Sequence, residues 1–326
     1  MLKDWRATCA SLLGVSLAVA CGAGVHAEVN ESGPLLPYPP VRFLTRGAQD
    51  LWPCFSPDNT RILFSRRVGV TWELYLVPAA GGAAVKFAAS PLPVAATRAN
   101  WSRQSNVIAF TGTSANGKSK VWVINPDGSN AHELEIAGLS DDVFYPSWYP
   151  DGEQIAVMDA ASYSIKRIDL PKGVVTTMTD PARVYTGMPS VSPDGKWIAF
   201  AGQHNRGQPY DQTKNLLWLA GGSGEPRMVE SKENQGRAPT WSPSGERLLF
   251  ESNRASSHGR YAILVINRDG TGITQLTDPA LNADHPVWSP DGAHVAFSAH
   301  DATQLGAGRS IGVIDWPEGG ASTASR

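Results

Sequence analysis

Six copies of one short motif constrain this 326-residue chain more than any other feature. Four are near-complete: Pro146-Ser-Trp-Tyr-Pro-Asp-Gly152, Pro189-Ser-Val-Ser-Pro-Asp-Gly195, Pro239-Thr-Trp-Ser-Pro-Ser-Gly245 and Pro286-Val-Trp-Ser-Pro-Asp-Gly292. Pro53-Cys-Phe-Ser-Pro-Asp58 lacks the glycine, and Asn100-Trp101-Ser102-Arg103 is degenerate, without the proline and Asp-Gly. The Ser or Tyr after the central apolar residue falls at 56, 102, 149, 192, 242 and 289, at spacings of 46, 47, 43, 50 and 47. Repeats of ~40–50 residues are the size of a four-stranded propeller blade.

Each unit reads alike. A short strand ends at the tryptophan position, and Ser-Pro-Asp-Gly then reverses the chain. Proline presets φ, Asp satisfies local amides and Gly accepts positive φ. A second apolar strand follows, as in Ile62–Phe64, Val107–Phe110 and Leu248–Phe250. A third (Val121–Ile124, Ile263–Ile266) runs into Asp-Gly hairpin chemistry, and a fourth ends in Leu-Thr, as in Ile273-Thr-Gln-Leu-Thr277. The last unit has no fourth strand, but Val41-Arg-Phe-Leu-Thr45, ahead of the first unit, matches it. The predicted fold is therefore all-β: a six-bladed β-propeller of four-stranded blades, its ring closed by the N-terminal strand 41–45 completing the last blade. Trp101, Trp148, Trp241 and Trp288 share one repeat position and are expected to pack in the core.

The flanks have different chemistry. Residues 1–27 read as a signal peptide: Lys3 and Arg6 precede the apolar Ala10–Ala20, too short to span a bilayer, and Val25-His26-Ala27 offers a cleavage site before Glu28. The rival reading is a lipid anchor on Cys21, since Leu17-Ala-Val-Ala-Cys21 fits a permissive lipobox. Either route exports the domain, so the expected location is periplasmic, with no transmembrane span in the mature chain. Cleavage before Glu28 leaves Cys54 alone, which excludes an internal disulfide and reads as a small buried thiol. Residues 28–40 are an extended proline-rich leader, 41–316 the propeller, 317–326 a flexible tail. Net charge is −2 with no basic cluster, so no nucleic-acid footprint is present.

The unit Pro-x-Trp-Ser-Pro-Asp-Gly, Ile-Ala-Phe, Asp-Gly, Leu-Thr resembles the TolB-type (WD40-like) propeller repeat over residues 41–315, best in Ser252-Asn-Arg254 through Leu276-Thr-Asp278. The resemblance stops at the propeller. TolB's preceding α/β domain has no counterpart, and neither has the hydrolase domain, with its Gly-x-Ser-x-Gly elbow, of prolyl-oligopeptidase-like peptidases. It implies a non-catalytic periplasmic binding or scaffolding module whose partner is a cell-envelope protein, a peptide or a glycan, acting as a monomer.

Propellers gather function where their variable loops meet. The loops leading into the first strands are expected to carry Asp50, Arg98, Tyr185, Arg237, Asp284 and His285 to the axial mouth. Those after the second strands carry Arg66, His204, Arg206, Arg254 and His300. This gives an Arg- and His-bearing rim for binding, with no catalytic set. Some TolB-like propellers are oligogalacturonate lyases that hold a divalent metal through histidines, so a metal-dependent carbohydrate-active enzyme is the alternative. His285 and His300 with His204 and Asp284 are then the ligand candidates. No His-x-His pair supports it, and no metal or cofactor is expected.

Overall fold

The structure is a computed structural model, and it describes residues 38–46, 49–87, 92–93, 95–221, 225–229, 235–254, 256, 258–300 and 308–316. The signal peptide, Cys21, most of the leader and the tail lie outside the described residues.

The fold is all-β. Four sheets contain four antiparallel strands each, and a fifth, eight-stranded sheet consists of two such groups joined through one parallel bridge, Trp72 to Ala95. Each group follows the order read from the sequence. In the third, Val143–Trp148, Gln154–Asp159, Ser164–Asp169 and Val174–Thr177 pair in sequence order. The last group is completed from the N-terminus. The strand Arg42–Phe43 pairs antiparallel with Arg309–Asp315, Arg42 facing Val313 and Phe43 facing Gly312. The ladder continues through Leu44 N–H to the Ile311 carbonyl at 2.8 Å and Ile311 N–H to Thr45 Oγ1 at 2.9 Å.

The repeated residues build turns and core. In the first motif Ser56 Oγ receives the Arg61 amide at 3.0 Å, and the Asp58 carboxylate takes the Ser56 hydroxyl at 2.6 Å and the Thr60 amide at 3.0 Å. These hydrogen bonds, the Ser56 hydroxyl foremost, hold the Asp58 carboxyl down to about 2. Gly195 closes its turn at φ 69°, a backbone state glycine reaches at little cost. Phe64, Phe110, Phe200, Phe250 and Phe297 take one position of the second strands and are fully buried. The four tryptophans are buried too, and two of them tie neighbouring groups together: Trp148 Nε1 donates to the Asn100 carbonyl at 3.1 Å and Trp241 Nε1 to the Ser190 carbonyl at 3.0 Å.

Every group carries the same irregularity in its first strand. The first strand slips register against the second between Leu51 and Cys54, Thr97 and Asn100, Phe144 and Ser147, Gly187 and Ser190, Arg237 and Thr240, and Asp284 and Val287. Two residues there face one on the partner strand, which is a β-bulge. Its leading residue has a left-handed backbone in all six cases: Trp52, Arg98, Tyr145, Met188, Ala238 and His285, at φ between 47 and 57°. That conformation costs a non-glycine residue about 1–2 kcal/mol, so it persists because the surrounding sheet imposes it.

First and last groups share a hydrophobic cluster that joins Leu44, Phe55 and Phe64 to Ala296, Ile311 and Val313. Deleting residues 41–45 should therefore lower the unfolding free energy by several kcal/mol, since truncating one buried leucine such as Leu44 already costs about 2–5 kcal/mol. Deleting residues 28–37 should leave it nearly unchanged. Denaturant unfolding of the two variants makes the comparison, and equal losses would refute the role given to this strand.

Candidate functional site

The six bulged residues converge. Trp52, Arg98, Tyr145, Met188, Ala238 and His285 all line one cavity of about 120 Å³. A proline follows five of them, and Ala99 follows Arg98. The proline wall has no amide N–H to offer, so side chains dominate what the cavity can recognise. A second cavity of about 280 Å³ lies against the tryptophan level of the same strands, and Asn100, Thr240 and Val287 border both.

The side chains of the first cavity form a stack. The Arg98 guanidinium carbon sits 4.4 Å from the centroid of the Trp52 ring and 4.5 Å from that of Tyr145. Trp52 meets Trp72 at 5.0 Å and His285 edge-on at 5.6 Å. A tyrosine cluster gathers one strand residue and two loop residues: Tyr163, in the turn before Ser164–Asp169, lies 5.5 Å from Tyr185 on Val184–Val191 and 4.9 Å from Tyr210. Cations over aromatic faces gain about 0.5–2 kcal/mol, more as water is excluded.

His285 joins the cavity to a charged network. Its backbone N–H donates to Glu251 Oε2 at 2.8 Å, and its Nδ1 lies 2.9 Å from Asp284 Oδ1. Arg237 Nε donates to Glu251 Oε1 at 2.7 Å, and Arg309 holds Asp284 Oδ2 at 2.7 Å. Glu251 is 0% exposed. Burial alone would raise the Asp284 carboxyl, yet His285 and Arg309 together leave it below the ordinary carboxylate range. Glu251, Asp284 and His285 bring one ligand atom each to within 4.8 Å of one another. Among the described residues they are the group that could hold a cation, although each carboxylate already has a guanidinium partner.

The predicted rim needs correction in three respects. Asp50, Arg98, Tyr185, Arg237, Asp284 and His285 sit on the first strands themselves, within Asp50–Phe55, Ala95–Trp101, Val184–Val191, Arg237–Trp241 and Asp284–Trp288, because the bulge lets pairing continue past them. Asp50 is no rim residue: it is fully buried and gripped by Arg66 through Nε at 2.7 Å and a terminal nitrogen at 2.8 Å. Of the histidines, only His285 belongs to the acid cluster. His204 is exposed, edge-on to Trp218 at 4.7 Å, and His300 Nδ1 lies 3.2 Å from the Gly308 carbonyl oxygen. Arg206 is exposed and Arg254 half-buried, and neither lines the cavity.

Sequence reasoning placed Arg98 and His285 near the mouth and missed Trp52, Tyr145, Met188 and Ala238. A signal was available, since all six stand four residues before the repeated Ser or Tyr. Cys54 also lines the cavity, but burial pushes its thiol up to about 11. The neutral thiol is a poor nucleophile.

The family described as the TolB beta propeller domain matches residues 45–216. An uncharacterized protein of Agrobacterium fabrum is 28% identical over 157 residues, 47% of this chain and 50% of the relative. The Tol-Pal system protein TolB of Hydrogenovibrio crunogenus is 26% identical over 106 residues, 32% of this chain and 22% of the relative. The matches thus span half or less of the length of these curated relatives. Among solved structures, a protein assigned as TolB from Agrobacterium tumefaciens aligns with a TM-score of 0.63 at 19% identity, over 85% of this chain and 97% of that one. An oligogalacturonate lyase from Vibrio parahaemolyticus aligns at 0.54 and 13%, over 85% and 94%. At such identities the likeness is one of fold.

The network predicts different behaviour for two arginines of the predicted rim. Arg237→Met leaves Glu251 buried without its guanidinium and should lower the unfolding free energy by about 3–5 kcal/mol. Arg237→Met with Glu251→Met should recover most of that, and Arg98→Met should cost far less than Arg237→Met. Denaturant unfolding of the three variants checks this; equal losses for Arg98 and Arg237 would contradict it.

Proposed function

This chain belongs to the TolB beta propeller domain family, and from that premise we propose that it is a non-catalytic binding propeller of the bacterial cell envelope. Its six four-stranded blades close into a ring through the strand at residues 41–45. It is exported by residues 1–27, with either simple cleavage or lipidation of Cys21, and it docks an extended segment of a protein or peptide partner in the axial cavity.

The observation that carries this reading is the convergence of six equivalent backbone positions on one cavity. The fold repeats, but the six side chains do not: an indole, a guanidinium, a phenol, a thioether, a methyl and an imidazole meet there. Invariant backbone with variable side chains is how a scaffold presents a recognition surface. Aromatic and arginine side chains are the types that dominate binding energy. The buried acids nearby are tied to guanidinium groups, and Cys54 is held neutral, so the cavity supplies recognition groups rather than an activated nucleophile.

A second reading, a metal-dependent lyase acting on acidic sugars, has one observation in its favour, the Glu251, Asp284 and His285 cluster. Release of unsaturated uronide from oligogalacturonate by the wild-type protein, lost in His285→Ala, would favour it over the binding module.

The binding reading is tested by photo-crosslinking in cells. A diazirine-bearing aliphatic amino acid close to methionine in size, placed at position 188 in the cavity, should give a discrete adduct with an envelope protein. The same group at position 174, on an outer strand, should give none. Equal or absent adducts at both positions would count against docking in the cavity.

A further inference from the structure

Three arginines on the strands around the cavity are answered by acids: Arg66 by Asp50, Arg237 by Glu251 and Arg309 by Asp284. Arg98 is not. Among the described residues the one hydrogen bond of its side chain is a 3.2 Å donation from a terminal nitrogen to Thr97 Oγ1, on its own strand. Its Nε is buried without a hydrogen-bond partner, and so is Nε1 of Trp52, the ring it stacks on. Both residues line the cavity.

A guanidinium carries five N–H donors in a rigid fork and accepts nothing. Buried donors in folded proteins nearly always have a partner, and one left over calls for an explanation such as a bound ion or ligand. Here two donors are left over on adjacent side chains of one cavity. Trp52 and Tyr145 stand against the guanidinium at 4.4 and 4.5 Å, so aromatic rings and no acid face this cation, and its N–H fork is left for a planar anion that enters the cavity. A carboxylate matches that fork with two parallel hydrogen bonds. Arg98 is also the only one of the six bulge residues not followed by proline, so Ala99, which lines the cavity, keeps the backbone N–H that the prolines lack. The carboxylates Asp50, Glu251 and Asp284, of the first, fifth and sixth repeats, are occupied by Arg66, Arg237 and Arg309 and do not compete for this cation.

We infer that Arg98 and Trp52 form a carboxylate-binding subsite of the cavity, which takes an acidic side chain or the terminal carboxylate of the docked segment. The inference rests on the cavity being a binding site. The guanidinium fork supplies the charge and Trp52 Nε1 a further donor, and the Trp52 and Tyr145 rings hold the guanidinium in place.

The test uses the full mature chain and four probes. These are succinate, acetyl-Gly-Ala-Glu-Ala-Gly-amide, acetyl-Gly-Ala-Ala with a free carboxylate, and acetyl-Gly-Ala-Gln-Ala-Gly-amide as the neutral control. Binding is followed by calorimetry and by the Nε–H resonance of Arg98, identified by its loss in Arg98→Lys. Carboxylate probes should shift that resonance saturably. Arg98→Gln should weaken their binding by about tenfold, the scale of one charge-assisted interaction. Trp52→Phe, which keeps the ring and removes the donor, should weaken it less. Arg98→Lys, which keeps the charge without the fork, should fall between wild type and Arg98→Gln and controls for misfolding. The tighter of the two acidic peptides identifies side chain or terminus as the source. If no carboxylate moves the resonance, or Arg98→Gln binds the acidic probes as the wild type does, the subsite is refuted. If succinate binds at Arg98 and neither peptide does, the subsite stands and the docked-segment reading of the cavity falls.

Discussion

Everything distinctive about this propeller follows from a bulge in the first strand of each four-stranded group. Two residues there face one on the second strand, and in five groups the single facing residue is a buried phenylalanine. The bulge turns one residue into a left-handed backbone and re-aims its amide. The Trp52 amide donates to Ser298 Oγ at 3.2 Å, that of Tyr145 to Thr111 Oγ1 at 3.2 Å, and that of His285 to Glu251 Oε2 at 2.8 Å. In each case the acceptor lies on the second strand of another group. One distortion thus ties neighbouring groups together and presents a side chain to the cavity. At Trp52, Tyr145 and His285 about 1–2 kcal/mol of backbone strain per residue is offset by that inter-group hydrogen bond and by the packing of the residue opposite.

The charges near the cavity divide by the same logic. Acids that accept inter-group amides or sit fully buried must be neutralised, because a buried unpaired carboxylate is costly. Glu251 and Asp50 meet that requirement with Arg237 and Arg66. These arginines are structural in effect although they stand where binding residues were expected. Arg98 has no acid opposite it: the corresponding second-strand residue is Thr111, which pairs with Thr97. Its charge is stabilised by two aromatic rings instead, and its Nε is left without a hydrogen-bond partner.

Much of the fold was legible in the sequence because turn chemistry is local. Proline, Asp and Gly at fixed offsets specify a reversal whatever surrounds them, and six copies gave the strand units and the N-terminal strand that pairs with the last one. The site was less legible for an equally physical reason. A residue preceding proline is ordinarily pushed toward extended backbone, so Trp52, Tyr145, Met188, Ala238 and His285 read as ordinary positions within a strand. Only tertiary pairing reveals the left-handed state that gathers them. Asp50 and Arg237 misled in the opposite direction, since a charge near a strand start looks solvent-facing until its buried partner, contributed from the next strand, is known.

The account makes the cavity, and not the outer loops, the place where a partner docks. The equivalent position of the first repeat already carries tryptophan in the same backbone state, so a tryptophan at position 238 fits the scaffold while filling the mouth. The most direct measurement is therefore the recovery of envelope proteins with the wild-type chain and with Ala238→Trp, alongside thermal unfolding of both. Loss of the recovered partner at an unchanged unfolding temperature is the predicted result. Undiminished recovery from the filled cavity would contradict the account.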